Sequence, residues 1–365
     1  MNTTRSELHP FNSYNQLAMK LKSYLAIFCG LFLFQAAWTQ DIHFSQGYHS
    51  PLNLNPALAG VFSGDLRFHA NYRNQWSSID VVDYTTFSAS LESKVYLEKL
   101  TASYFATGIL FNVDQAGTSG LQRINIGVSG AYSKQLAPTV FATAGANVGI
   151  NNRSFDNRNL TYDQQFDGNQ FDPSLGREPA PDGITNSLTM DLSAGINVRV
   201  QPLEANPLTK RTRLDIGVSL HHLTKPDETF ALSDESPLDR RLTFHAIANL
   251  MVNPFFDFRL RGTSHFQGTY QENLIGFGGR IVINDKAARE AAMHLGASYR
   301  FHNFGDAFIP HVEFEWKQWM LGISYDVNTS AFQDATGRQG GPEIALRYIR
   351  RPVNPPEKTK ACPII

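Results

Sequence analysis

Leu188-Thr-Met-Asp-Leu-Ser-Ala-Gly-Ile-Asn-Val198 alternates without a break: Leu188, Met190, Leu192, Ala194, Ile196 and Val198 fall on one side, and Thr189, Asp191, Ser193, Gly195 and Asn197 on the other. A period of two belongs to a β-strand, whose successive side chains point to opposite faces. The stretch therefore has one apolar and one polar face. The same pattern recurs in both directions. Ile124, Ile126 and Val128 oppose Asn125, Gly127 and Ser129; Leu214, Ile216, Val218 and Leu220 oppose Asp215, Gly217 and Ser219; Leu295, Ala297, Tyr299 and Phe301 oppose His294, Gly296, Ser298 and Arg300. Strands are expected near 64–76, 83–93, 104–114, 121–135, 138–153, 186–201, 210–222, 239–251, 255–267, 270–283, 291–302, 307–317, 318–328 and 341–350. This even number would return the last strand antiparallel to the first.

So many half-apolar strands can bury their faces in a core of their own or turn them toward lipid. Residues 19–39 have the layout of a secretory signal, with Lys20 and Lys22, an apolar run over 24–34, and a small-residue exit at Ala37-Trp-Thr39. Met19 is then a candidate start, in which case residues 1–18 are not translated. After this leader no run of about 18 apolar residues occurs, so no helical span is expected. Aromatics are plentiful, with 26 Phe and 13 Tyr, while only 18% of residues are charged and the formal net charge is -1. Near-neutral charge gives no basic surface for nucleic acid. A closed barrel satisfies every backbone polar group in a membrane without a long apolar run, so the expected fold is all-β, an outer-membrane β-barrel of about 14 antiparallel strands.

The connections divide by length. Asn253-Pro254, Gln267-Gly268, Asn303-Phe-Gly305 and Lys317-Gln318 read as short turns. The stretches 152–185 and 224–239 are long and rich in Asp, Asn, Gly and Pro; by strand parity both leave the same end, expected to be extracellular because outer-membrane barrels keep their periplasmic turns short. Lys286, Arg289 and Glu290, set among alanines, suggest a turn of helix over 284–292. The chain thus divides into a leader (1–39), an N-terminal periplasmic or plug segment (40–63), the barrel (64–350) and a proline-rich tail (351–365) that cannot join the ladder. Cys29 lies in the leader and Cys362 in the tail, so no disulfide framework is expected.

Candidates for chemistry are few. His221-His222 followed by Asp227 and Glu228 suggests a metal site, but adjacent strand residues point apart, and no metal is expected. Ser264-His265 are likewise on opposite faces, and no nucleophile elbow, phosphate-binding glycine loop or dinucleotide fingerprint is present, so neither enzymatic activity nor a cofactor is expected. Arg259, Arg261 and His265 share one face of a strand, opposite Phe258, Leu260 and Phe266. A cation facing lipid near the midplane costs about 2–4 kcal/mol, so all three should face the lumen, either as a selective pore lining or paired with acids such as Asp191, Asp215 or Glu343.

One ordered series of motifs carries a resemblance. Asp41-Ile-His-Phe-Ser-Gln46, Leu54-Asn-Pro-Ala-Leu-Ala-Gly60, Tyr72-Arg-Asn-Gln-Trp76 and Tyr84-Thr-Thr-Phe-Ser-Ala-Ser90 are followed by Gly217-Val-Ser-Leu-His-His-Leu-Thr-Lys-Pro226, Gly322-Ile-Ser-Tyr-Asp-Val-Asn328, Gly340-Gly-Pro-Glu-Ile-Ala-Leu-Arg-Tyr-Ile349 and Cys362-Pro363. Together they resemble the PorP/SprF family, outer-membrane proteins of the Bacteroidetes type IX secretion system. The resemblance implies a non-enzymatic outer-membrane component. It would work with outer-membrane lipid and the secretion machinery to deliver or anchor surface proteins with type B C-terminal sorting domains, such as gliding adhesins. Within the motifs, Asn53, Asn55, Pro56 and Gly60 would form a plug or a docking surface at the barrel mouth. Tyr72, Arg73, Asn74, Gln75 and Trp76 would close the first strand, with Trp76 suited to an aromatic girdle. A porin or hydrophobic-substrate transporter would use the same strands, and a soluble exported β protein would bury their apolar faces in its own core.

Overall fold

The computed structural model describes residues 41–351, apart from 76–83, 96–102, 118–119, 157–160, 173, 176–183, 203–210, 231–236, 287–288, 303–306 and 331–332. Alternation makes strands wherever it was expected, and hydrogen bonding closes them into one ring. The fourteen strands among the described residues are β1 (Leu66–Gln75), β2 (Tyr84–Val95), β3 (Ser103–Ala116), β4 (Leu121–Ala137), β5 (Val140–Asp156), β6 (Ile184–Val200) and β7 (Arg213–His221). They continue with β8 (Arg241–Asn253), β9 (Phe256–Gln267), β10 (Tyr270–Asn284), β11 (Ala291–His302), β12 (Ala307–Trp316), β13 (Trp319–Asn328) and β14 (Gln339–Arg350). Each pairs antiparallel with its neighbours in sequence, and β1 pairs with β14 from Leu66↔Arg350 to Arg73↔Glu343, so the barrel is closed and has no free edge.

The two faces are inverted relative to a soluble protein. On β12, Phe308, Val312, Phe314 and Trp316 point outward and are exposed, Phe308 by 44%, whereas inward-facing Glu313 is 0% exposed. β13 repeats this: Trp319, Leu321, Ile323 and Tyr325 are exposed, and Met320, Ser324 and Asp326 are buried. An apolar outer face and a polar interior are what a strand needs when lipid is its outer solvent, and they exclude the soluble alternative. Along β5 and β6 the outward apolar series runs up to Ile150 and Leu188, and the next outward residues are Asn152, Ser154 and Asn186. These two 17-residue strands thus continue past the apolar belt as a polar ribbon.

The connection between β10 and β11 contains no helix among its described residues. Arg289 N–H donates to the Lys286 carbonyl at 2.9 Å and Ala291 pairs with Asn284; the helical turn expected here falls partly on residues 287–288, outside the described residues. A short helix that alternation does not announce, Gln333–Thr336, lies between β13 and β14 instead. The leader, Trp76, Cys362 and the tail from residue 352 lie outside the described residues.

Candidate functional site

The interior of the barrel is occupied by the chain's own residues 42–62. Two prolines shape this segment locally. Pro51 opens a single helical turn, Pro51–Leu54, and Pro56 opens a 3-10 turn, Pro56–Leu58; proline suits a first helical position because its missing N–H would have no partner there. Asn55, between them, is 0% exposed and does two things at once. Its Oδ1 accepts from Ala57 N–H at 2.8 Å, capping the turn, while its Nδ2 donates to the Ile196 and Val218 carbonyls at 3.0 and 3.2 Å, hooking the segment to β6 and β7. The wall leaves room for this approach with glycines. A Cβ on Gly195 would lie 2.1 Å from Asn55 Oδ1, and one on Gly145 would lie 2.6 Å from the Pro56 carbonyl oxygen.

The hooks surround the segment. Asn53 and Asn112 exchange two amide hydrogen bonds of 2.9 Å, and Asn53 also donates to Ser88 Oγ. Ser219 Oγ donates to the Leu54 carbonyl at 2.8 Å, Arg67 to the Leu58 carbonyl at 3.1 Å, and Tyr104 to the Gly60 carbonyl at 3.1 Å. Nearer the long-loop end, the backbone N–H groups of Ser45 and Gln46 both donate to the Glu343 carboxylate, at 2.7 and 2.9 Å, and Arg73 donates to the His43 carbonyl at 2.8 Å. Leu52 and Ala59 pack with Ala106, Leu110 and Ala131, while Leu54, Leu58 and Val61 form a second small cluster against Ile247. Polar walls and a mixed filling thus leave these backbone groups bonded rather than stranded.

Charge inside the barrel is matched locally. Glu313 stands at the centre of one cluster, with Arg261 at 2.9 Å, Arg259 at 3.2 Å and His49 at 3.2 Å; Arg261 also lies over the Tyr48 ring, 3.3 Å from its centroid. Glu315 joins Arg280, Arg347 and His294 at 2.8, 3.0 and 3.1 Å. Asp326 holds Arg73 and Arg300 together with Ser45, Glu92 holds Arg67, and Asp215 holds Arg199. The expected luminal placement of Arg259 and Arg261 agrees with this, but their partners do not. They pair with Glu313 and Glu315 of β12, while Asp191 bonds His222, Asp215 bonds Arg199 and Glu343 receives the luminal segment. His265 Nδ1 lies 2.9 Å from Thr243 Oγ1. Glu313 and Glu315 carry their own signal in the sequence, since they alternate with Phe314 and Trp316 just as the arginines alternate with Leu260.

The connection from β7 to β8 also reaches inward. Glu228 is buried and paired with Arg123, while Arg153 donates to the Glu228 carbonyl at 3.0 Å. Phe230 meets Phe155 edge to face with centroids 4.7 Å apart. His221 and His222 differ from the expectation that they point apart. His222 adopts φ 57°, leaving the strand, so both rings are buried with centroids 6.4 Å apart. They still serve different partners: His221 Nε2 lies 3.0 Å from Ser219 Oγ and His222 Nδ1 lies 2.8 Å from Asp191. Ser264 Oγ donates to Asn273, away from His265.

The motif series therefore acquires positions. Asn53, Asn55, Pro56 and Gly60 lie within the barrel, where all but Asn53 are buried. Of the first-strand motif, Tyr72 is exposed on the outer face, Arg73 is buried inside, Asn74 donates to Thr85 on β2 at 3.3 Å, and Gln75 is half-buried. A family model described as type IX secretion system membrane protein PorP/SprF matches residues 36–348, from before the first motif to Tyr348 in β14, leaving Cys362-Pro363 outside the match. The chain belongs to that family. This PorP/SprF protein is thus a membrane component of type IX secretion, and its barrel fits an outer-membrane location. Solved structures similar in fold include the Ralstonia pickettii toluene transporter TbuX (10% identity, 83% of this chain and 94% of that one, TM-score 0.45). The Pseudomonas putida toluene transporter TodX (9%, 85% and 95%, TM-score 0.44) and a Pseudomonas aeruginosa FadL homologue (10%, 80% and 92%, TM-score 0.47) are also similar. No curated protein matches the sequence.

Proposed function

We propose that this PorP/SprF barrel is a non-enzymatic dock that delivers or anchors cell-surface proteins carrying type B C-terminal sorting domains, gliding adhesins among them, and that it does so without passing them through its lumen. The observation that carries this reading is the occupied interior. A porin or a hydrophobic-substrate transporter needs a path, and here residues 42–62 fill it, hooked to the wall through β1, β6, β7 and β14 alike. Each such hydrogen bond is worth about 0.5–1.5 kcal/mol net, so hooks to four strands hold the segment as a plug rather than a loosely held gate. What the protein then offers to a large partner is its ends. The two long connections, 157–183 and 222–240, leave one end, the extracellular one on this reading; the opposite end, with the turns at 254–255 and 317–318, faces the periplasmic machinery.

Deleting the gene and comparing secreted and surface proteins tests the reading. Proteins with type B sorting domains should be lost from the cell surface, while other exported proteins stay unchanged. Normal export and retention of every type B protein would reject it, and steady conductance of the purified barrel, or a lipid bound in its lumen, would favour a transporter.

A further inference from the structure

The long connection between β5 and β6 carries an apolar display on a built support. Phe166 and Phe171 are exposed by 56% and 50%, and they face each other as an isolated antiparallel bridge, so both rings leave the same side of the ribbon. The tip between them is fixed by Asp167, whose Oδ1 accepts from the Asn169 and Gln170 N–H groups at 2.8 Å each. Its base is fixed by Gln165, which is buried, caps Tyr162 N–H at 3.1 Å and receives Asp172 N–H on its carbonyl at 2.7 Å. Backbone donors hold the Asp167 carboxyl below its ordinary range, and Ser174 does the same for Asp172, so both stay charged at neutral pH. Asp163 is exposed beside them.

We propose that residues 161–172 form a preorganised docking tip, in which Phe166 and Phe171 enter an apolar cleft of a folded protein partner whose rim carries lysine or arginine. This rests on the docking reading above and deepens it by naming the surface and the partner's chemistry. Two large aromatic side chains held by a rigid tip make a binding hot spot with little ordering entropy left to lose. The carboxylates of Asp163, Asp167 and Asp172 select a cationic rim, and they repel an anionic lipid surface, which separates this tip from a membrane anchor.

The test uses whole cells and the full chain. With the photoreactive residue p-benzoylphenylalanine at position 166, irradiation should yield adducts with an exported protein bearing a type B sorting domain. The same residue at the outward position 188, at the edge of the apolar belt, should not. The variant Phe166→Ser/Phe171→Ser should leave barrel abundance and heat-shifted mobility intact while lowering surface retention of those proteins by about tenfold or more, and Asp163→Lys should lower it in the same direction. Adducts with lipid or with a second copy of this chain only would overturn the tip. So would full retention in the double serine variant when gene deletion abolishes it. Retention that survives deletion itself would instead reject the docking reading on which the tip depends.

Discussion

Replacing Glu313 by Gln would leave Arg259, Arg261 and His49 around a neutral amide at a fully buried position. Breaking one side of a buried charge cluster costs about 3–5 kcal/mol, and the expected outcome is a barrel whose heat-induced gel shift begins at a distinctly lower temperature. Adding Arg261→Met should recover part of that loss, because the pair removed together strands less charge. Asn55→Ala belongs to the same scale. It deletes a cap and two hooks to the wall, an expected loss of about 1–3 kcal/mol, and should appear as brief open events in single-channel recordings of an otherwise folded barrel. The sequence pointed to Asn55 through its motif but said nothing of the Ile196 and Val218 carbonyls it would meet. Their distance along the chain exceeds 140 residues. For the same reason the partners of Arg259 and Arg261 escaped: alternation says which face a charge takes, and only the closed register says which acid stands opposite.

Among elements, the strands were readable in detail, and the segment before them only as a choice between a periplasmic stretch and a plug. Alternation fixes strands because each has to present one face to lipid and the other to the interior, and the ends fell within a few residues of expectation. His222 shows where that rule stops, since a residue at φ 57° no longer obeys the pleat. The luminal segment has no period at all, only two prolines and a capping asparagine, and its path is set by glycine gaps at 145 and 195 in strands far away. Many luminal charge pairs join one wall strand to another, as in Arg67 with Glu92, Arg199 with Asp215 and Arg261 with Glu313. Deleting residues 43–60 is therefore expected to leave a folded, closed wall, with unchanged β-sheet circular dichroism, and to open a steady conductance in planar bilayers. A collapsed wall would show instead that the segment is needed for folding.

For the molecule as a whole, an interior filled by residues 42–62 suits the proposed role of a protein that works by its ends. Ser50 Oγ, on the luminal segment, lies 3.4 Å from Ser88 Oγ on β2, so cysteines at both positions place two thiols side by side, and loss of free thiol on oxidation reports whether they join. The two native cysteines, Cys29 and Cys362, are remote from both positions in the sequence. Oxidation of Ser50→Cys/Ser88→Cys would fasten the luminal segment to the wall without touching the loops. Surface retention of type B sorting-domain proteins in cells carrying this locked barrel is the most direct measurement. Retention should equal wild type in the oxidised and the reduced state alike, because docking needs no opening of the lumen. Retention lost on oxidation and restored by a reductant would contradict it, and would make the luminal segment a gate that has to move.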